Sequence, residues 1–116
     1  MSTITAFLER LRAGQTDFED TIAVINENYI YQPAEFRNGL GEEVLVNAAG
    51  TNEGSCRIFA FAQLQGLSPA DTLACFGRFY KDVLATPEGT DHGNIRRFMK
   101  YGWEGIRFSS SPLAAR

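Results

Sequence analysis

Residues 56–64 read Cys-Arg-Ile-Phe-Ala-Phe-Ala-Gln-Leu, apolar on nearly every side and interrupted only by Arg57 and Gln63. A segment without a polar face has no solvent side to offer, so the remaining elements have to enclose it. Periodicity alone does not separate a buried helix from a buried strand in so short a run. Three features favour the helix: Ser55 as N-cap, the alanines at 60 and 62, and Gly66 as a stop. The segment is predicted to be the most buried element of the fold.

The flanking sequence supplies the enclosing elements. Ile4, Phe7, Leu8 and Leu11 recur at helical spacing and Gly14 follows where a left-handed C-terminal cap sits. Thr16-Asp17-Phe18-Glu19 offers a capping-box pattern for a second helix over residues 17–28, with Phe18, Ile22, Ile25 and Tyr29 as its apolar stripe. Aromatic and β-branched residues on either side of Asn38-Gly39 suggest a hairpin within residues 29–46. Ser68-Pro69-Ala70-Asp71 opens a further helix that ends at Pro87, with Gly77 in its middle; a mid-helix glycine costs about 1 kcal/mol, which points to a close approach by another element. Asp91 is expected to cap a last helix that Gly102 closes, and residues 103–108 read as an extended tail that pairs with the hairpin. Residues 109–116 look frayed. The reading is a helix-dominated α+β domain of about five helices with a small two- or three-stranded sheet, one domain over residues 1–116.

With 116 residues, 44% of them hydrophobic, the chain has material for one core and is unlike a disordered chain. Its net charge of −3 is unevenly spread: nine acids and three bases fall in residues 1–55, five acids and eight bases in residues 56–116. The acidic total argues against nucleic-acid or membrane-surface binding. Neither a signal peptide nor an apolar run of about 20 residues is present, and the two cysteines read as free thiols, so a cytoplasmic location is expected.

The candidate chemistry gathers in two stretches. Residues 51–57 run from a polar, glycine-containing loop into the apolar segment, and a thiol at a helix N-terminus gains acidity from free N–H groups and the helix dipole. Cys56 is therefore a candidate nucleophile, or else a small buried hydrophobe. His92, the only histidine, is the candidate base, with Asp91 either orienting it or capping the helix. Asn52, Ser55 and Arg57 form a candidate small-anion site at the loop-to-helix junction, to which Asp91 and Trp103 are added as candidate ligand contacts. No metal-ligand spacing such as Cys-x-x-Cys is present, and no cofactor is expected. Cys75 reads as structural, about one turn out of register with Cys56, so no disulfide is expected.

Those two stretches, residues 51–62 and 88–106, together with residues 18–25 and 72–77, resemble the HopJ family of bacterial proteins, named after a type III secretion effector of a plant pathogen. The resemblance spans roughly residues 18–108. It implies a protein-interaction or ligand-binding module with a host or bacterial protein partner, and secretion by a type III system. The Ser/Thr-rich start, Met1-Ser2-Thr3-Ile4-Thr5, suits such a signal and equally suits a helix start.

Overall fold

The structure, a computed structural model, describes residues 3–116; Met1 and Ser2, the first residues of the Ser/Thr-rich start, lie outside the described residues. The described chain forms six α-helices and five short strands: α1 Thr3–Arg12, α2 Phe18–Asn28, β1 Tyr29–Tyr31, β2 Phe36–Asn38, β3 Leu45–Asn47, α3 Glu53–Gln65, α4 Pro69–Ala74, α5 Arg78–Ala85, α6 Gly93–Tyr101, β4 Arg107–Phe108 and β5 Leu113–Ala115. The helix-dominated α+β architecture read from the sequence is therefore present, as two small antiparallel sheets ordered β1-β5 and β3-β2-β4.

The apolar segment lies within α3, where Cys56 and every residue from Ile58 to Ala62 are buried. Phe59 and Phe61 are both fully enclosed, on nearly opposite faces of the helix because a two-residue step turns through about 200°. Phe59 meets Phe36, Phe76 and Phe98 at ring-centroid distances of 6.1, 5.4 and 5.0 Å. Phe61 meets Phe7 and Tyr29, edge-on, at 6.1 and 6.2 Å. The helix is thus wrapped by α1 and β1 on one side and by β2, α6 and the α4–α5 turn on the other.

The expected helix up to Pro87 is broken at Gly77, whose φ of 57° and ψ of −128° end α4 and start α5. The close approach that this glycine suggested is made by the start of α2: a Cβ at residue 77 would lie 2.2 Å from Asp17 Oδ1 and 2.5 Å from Phe18 N. The capping box expected at Thr16 and Glu19 forms one residue later, with Asp17 as the cap of α2 and Asp20 as its partner, and Asp17 also accepts the Arg78 backbone N–H at 2.9 Å. Arg78 reaches back to the carboxylates of Asp17 and Glu19. One aspartate therefore serves two helix starts, which is why no side chain fits at position 77.

Two expectations about the strands are corrected. The Asn38-Gly39 pair does not form a two-residue turn; a longer loop with a 3-10 turn at Gly41–Glu43 joins β2 to β3, because Asn38 is drawn fully into the interior. Residues 109–116 are not frayed either. β5 pairs with β1 in the register Tyr29↔Ala115 and Tyr31↔Leu113, with Leu113 buried, so the chain end closes over the core. The residues 103–108 tail begins as a 3-10 turn, Gly102–Gly105, and becomes β4, which pairs with β2 as expected.

Replacing Phe59 by alanine should cost about 3–5 kcal/mol, whereas Leu64→Ala, at a position 56% exposed on the same helix, should cost under about 1 kcal/mol. Urea denaturation of the two variants measures the contrast. The Arg78 node also sets an acid limit. Backbone hydrogen bonds from Arg78 and Phe18 hold the Asp17 carboxyl below its ordinary 3.8, and the hydrogen bond from Arg78 holds Glu19 below 4.5. Folded carboxylates with depressed pKa values stabilise the fold above those ordinary values, and that stability is lost as the pH falls through the folded ones. The melting temperature of the wild type should drop below about pH 4, and that of Arg78→Ala should drop less steeply.

Candidate functional site

Two helices begin in the same unusual way. Asn52 before α3 and His92 before α6 have φ, ψ of 49°, 46° and 50°, 48°, and they are the only non-glycine residues with positive φ among those described. Neither side chain caps its helix. The first intrahelical bonds are Cys56 N to Asn52 O at 3.0 Å and Arg96 N to His92 O at 3.1 Å. The N–H groups of residues 53–55 and 93–95 are therefore left without intrahelical acceptors, and the positive end of each helix dipole lies there.

These two starts face one open cleft of about 370 Å³. Asn52, Gly54 and Ser55 line one side, His92, Gly93, Asn94 and Ile95 the other, and the rings of Phe18, Phe76 and Phe79 form the apolar wall. Phe18 approaches so closely that a Cβ on Gly54 would lie 2.8 Å from its Cζ. The His92 ring lies against Phe79 at 5.6 Å, with its Nε2 3.7 Å from Asp91 Oδ2 and 3.9 Å from Asp82 Oδ2.

Buried asparagines hold the two starts together. Asn47 Oδ1 accepts from Asn52 Nδ2 at 2.7 Å and from Asn94 Nδ2 at 2.9 Å, while Asn47 Nδ2 donates to Asn94 Oδ1 at 3.1 Å. Asn38 Nδ2 donates to the backbone oxygen of Asn94 at 2.8 Å. Asn38, Asn47 and Asn94 are all buried. Strands β2 and β3 thus clamp α6, and through Asn52 also α3, by amides whose loss would leave buried polar partners unsatisfied.

Of the residues singled out from the sequence, the fold brings Asn52, Ser55 and His92 into the cleft. Two capping assignments are corrected: the N-cap of α3 is Asn52 rather than Ser55, and that of α6 is His92 rather than Asp91. Asp91 instead pairs with Arg96 at 2.7 Å, and that contact holds its carboxyl below its ordinary value. Both caps are left-handed residues; Asn52 is held by its bond to Asn47, and the start of α6 by the bonds of Asn94 to Asn47 and Asn38.

Because α3 starts earlier, Cys56 is its fourth residue and its N–H is already bonded to Asn52. The thiol is buried, lies 3.8 Å from the Ala34 carbonyl oxygen, and is pushed up by that burial. His92 is not among the groups around it. Arg57 stacks over the Tyr31 ring at 3.8 Å and pairs with Glu53 at 3.7 Å. Trp103 donates to the Leu67 carbonyl at 3.1 Å and packs edge-on against Phe98. Cys75 is buried as a free thiol, pushed up to about 12 by burial. Sequence reasoning missed the aromatic wall and the roles of Asn38, Asn47 and Asn94. The one signal for Asn38 and Asn47 was asparagine on the same strand face as an apolar residue, two positions after Phe36 in β2 and after Leu45 in β3.

Among the described residues, no group of three or more His, Cys, Asp or Glu side chains is placed to hold a metal ion, and no helix is long and apolar enough to cross a membrane.

The fold and cleft define a small helix-dominated α+β domain with a concave site between two helix N-termini. The model of the HopJ type III effector protein family matches residues 4–113, and the chain belongs to that family. It is also similar to a solved crystal structure of the unknown-function protein VPA0580, with 50% identity over 97% of this chain and 92% of that one and a TM-score of 0.90. No curated protein matches the chain.

Both thiols should resist iodoacetamide in the native protein near neutral pH and react only on unfolding, because buried cysteines are inert. Mass spectrometry of each cysteine across a urea series measures this.

Proposed function

We infer that this HopJ-family domain is a ligand-binding module whose cleft holds a small anionic group, a phosphate or carboxylate, on the N-termini of α3 and α6. The observation that carries this reading is the convergence of two sets of free backbone N–H groups, with the His92 imidazole beside them, on one cavity. Helix N-termini favour anions through both their donors and their dipoles. The cavity lies within the size range of ligand sites, and its mixture of an apolar wall with a few convergent polar groups is typical of them. The aromatic wall of Phe18, Phe76 and Phe79 supports a ligand with an apolar body beside the anionic group.

The left-handed backbone of His92 supports the same reading. A residue with a Cβ in that region costs roughly 1–2 kcal/mol relative to glycine, and such strain is found most often at functional sites. Family membership supports a setting as a type III effector that acts on a host protein. The reading of Cys56 as nucleophile and His92 as base has less support, since burial disfavours the thiolate.

Inorganic phosphate and acetate, titrated against chloride at matched ionic strength, should shift the amide resonances of Gly54, Ser55, Gly93 and Asn94 saturably and raise the melting temperature. His92→Gly should weaken that binding while leaving the fold unchanged in stability or more stable by about 1 kcal/mol. Amide shifts confined to arginine-bearing surfaces, or no saturable response to either anion, would overturn the assignment of the cleft.

A further inference from the structure

The outer face of the three-stranded sheet carries a charge arrangement that the rest of the surface avoids. Elsewhere most basic side chains meet acids: Arg12 pairs with Asp71 at 3.2 Å, Arg78 with Asp17 and Glu19, Arg96 with Asp91, and Lys100 with Glu43. On the sheet, β2 lies between β4 and β3 with Arg37 directly opposite both Arg107 and Val46. All three side chains are exposed, and their neighbours along each strand turn inward. Arg37 has only a distant partner, Glu35 Oε1 at 3.9 Å, and the Arg107 side chain has no ion pair or hydrogen bond among the described residues.

Like charges directly opposite each other in an antiparallel pair destabilise it. The register cannot slip to separate them, because a one-residue shift would turn buried Phe36, Asn38 and Asn47 outward. The pair is therefore held by the inner face at a cost that an anionic partner would remove. Val46, 50% exposed, extends the same rung with an apolar surface.

We propose that the rung Arg107–Arg37–Val46 is a docking site for an acidic peptide segment of a partner protein, two carboxylates meeting the guanidinium pair and an apolar side chain covering Val46. Guanidinium groups take carboxylates bidentately, which makes a short contact specific as well as attractive. Three strands at about 4.8 Å spacing span about 10 Å, the length of roughly three extended residues. Nucleic acid is disfavoured, since a row of phosphates needs several cations and this chain has a net charge of −3. The site is separate from the α3–α6 cleft and does not rest on the reading of that cleft.

The test is fluorescence titration with a labelled Glu-Glu-Leu-Leu peptide and its Gln-Gln-Leu-Leu counterpart, alongside anionic vesicles and a short RNA. The acidic peptide should bind saturably and shift the amides of Arg37, Val46 and Arg107. Arg107→Gln should weaken it by about tenfold, and the double variant with Arg37→Gln should abolish it. Both variants should melt at or above the wild-type temperature, because they remove the repulsion; this separates a binding role from a structural one. The proposal is overturned if the acidic peptide binds no better than the neutral one, if the variants bind it like wild type, or if only vesicles or RNA bind.

Discussion

The middle of α3, from Ile58 to Ala62, has no solvent face, and the elements around it are placed by the need to wrap it. Phe59 and Phe61 project to nearly opposite sides, so a single layer of neighbours cannot bury both. One is covered by strands and α6, the other by α1 and β1, and the chain end is drawn back as β5 to complete that second cover. A helix enclosed along its middle cannot rotate or slide to improve its own capping. Its N-terminus stays where packing leaves it, beside the start of α6, with its first N–H groups unpaired.

Bringing two helix N-termini to one place is itself unfavourable, since each carries a partial positive charge of about half a unit. The asparagine cluster opposes that repulsion. The side-chain oxygen of Asn47, the negative end of an amide dipole, accepts from one residue of each start, and its N–H group donates back to Asn94. The carboxylates of Asp82 and Asp91 lie near His92 on the outer side. The cleft between them contains aromatic carbon and free amide hydrogens, an electrostatic setting suited to a negative group.

Much of this was legible in the sequence, and what was not has a physical reason. The apolar run, the capping-box pattern of residues 16–19, which forms one residue later as Asp17 with Asp20, and the stop at Gly66 are local features, and α1, α2 and the buried part of α3 followed from them. The starts of α3 and α6 did not: Asn52 and Ser55 are equally good caps by residue type, so the sequence did not choose between them, and Asp91 is a better one than left-handed His92. Asn47 holds both starts, from five positions before Asn52 and from forty-seven positions before Asn94. The break at Gly77 likewise depends on Asp17, sixty positions earlier, and β5 depends on pairing with β1 across nearly the whole sequence. Local rules carry no information about such partners.

The same geometry decides which candidate residues act together. Ser55 and Cys56 are adjacent, but one helical step turns the chain by about 100°, so Ser55 lines the cleft while the Cys56 thiol turns toward Ala34 and the core. Arg57, one step further, lies over Tyr31. Proximity in sequence therefore joined a thiol to a loop that the fold separates. What remains in the cleft is a serine, a histidine, the asparagines at 52 and 94 and backbone N–H groups, beside the aromatic wall. On the proposed reading, such a set would hold and orient a charged ligand through preformed dipoles, with no part for Cys56.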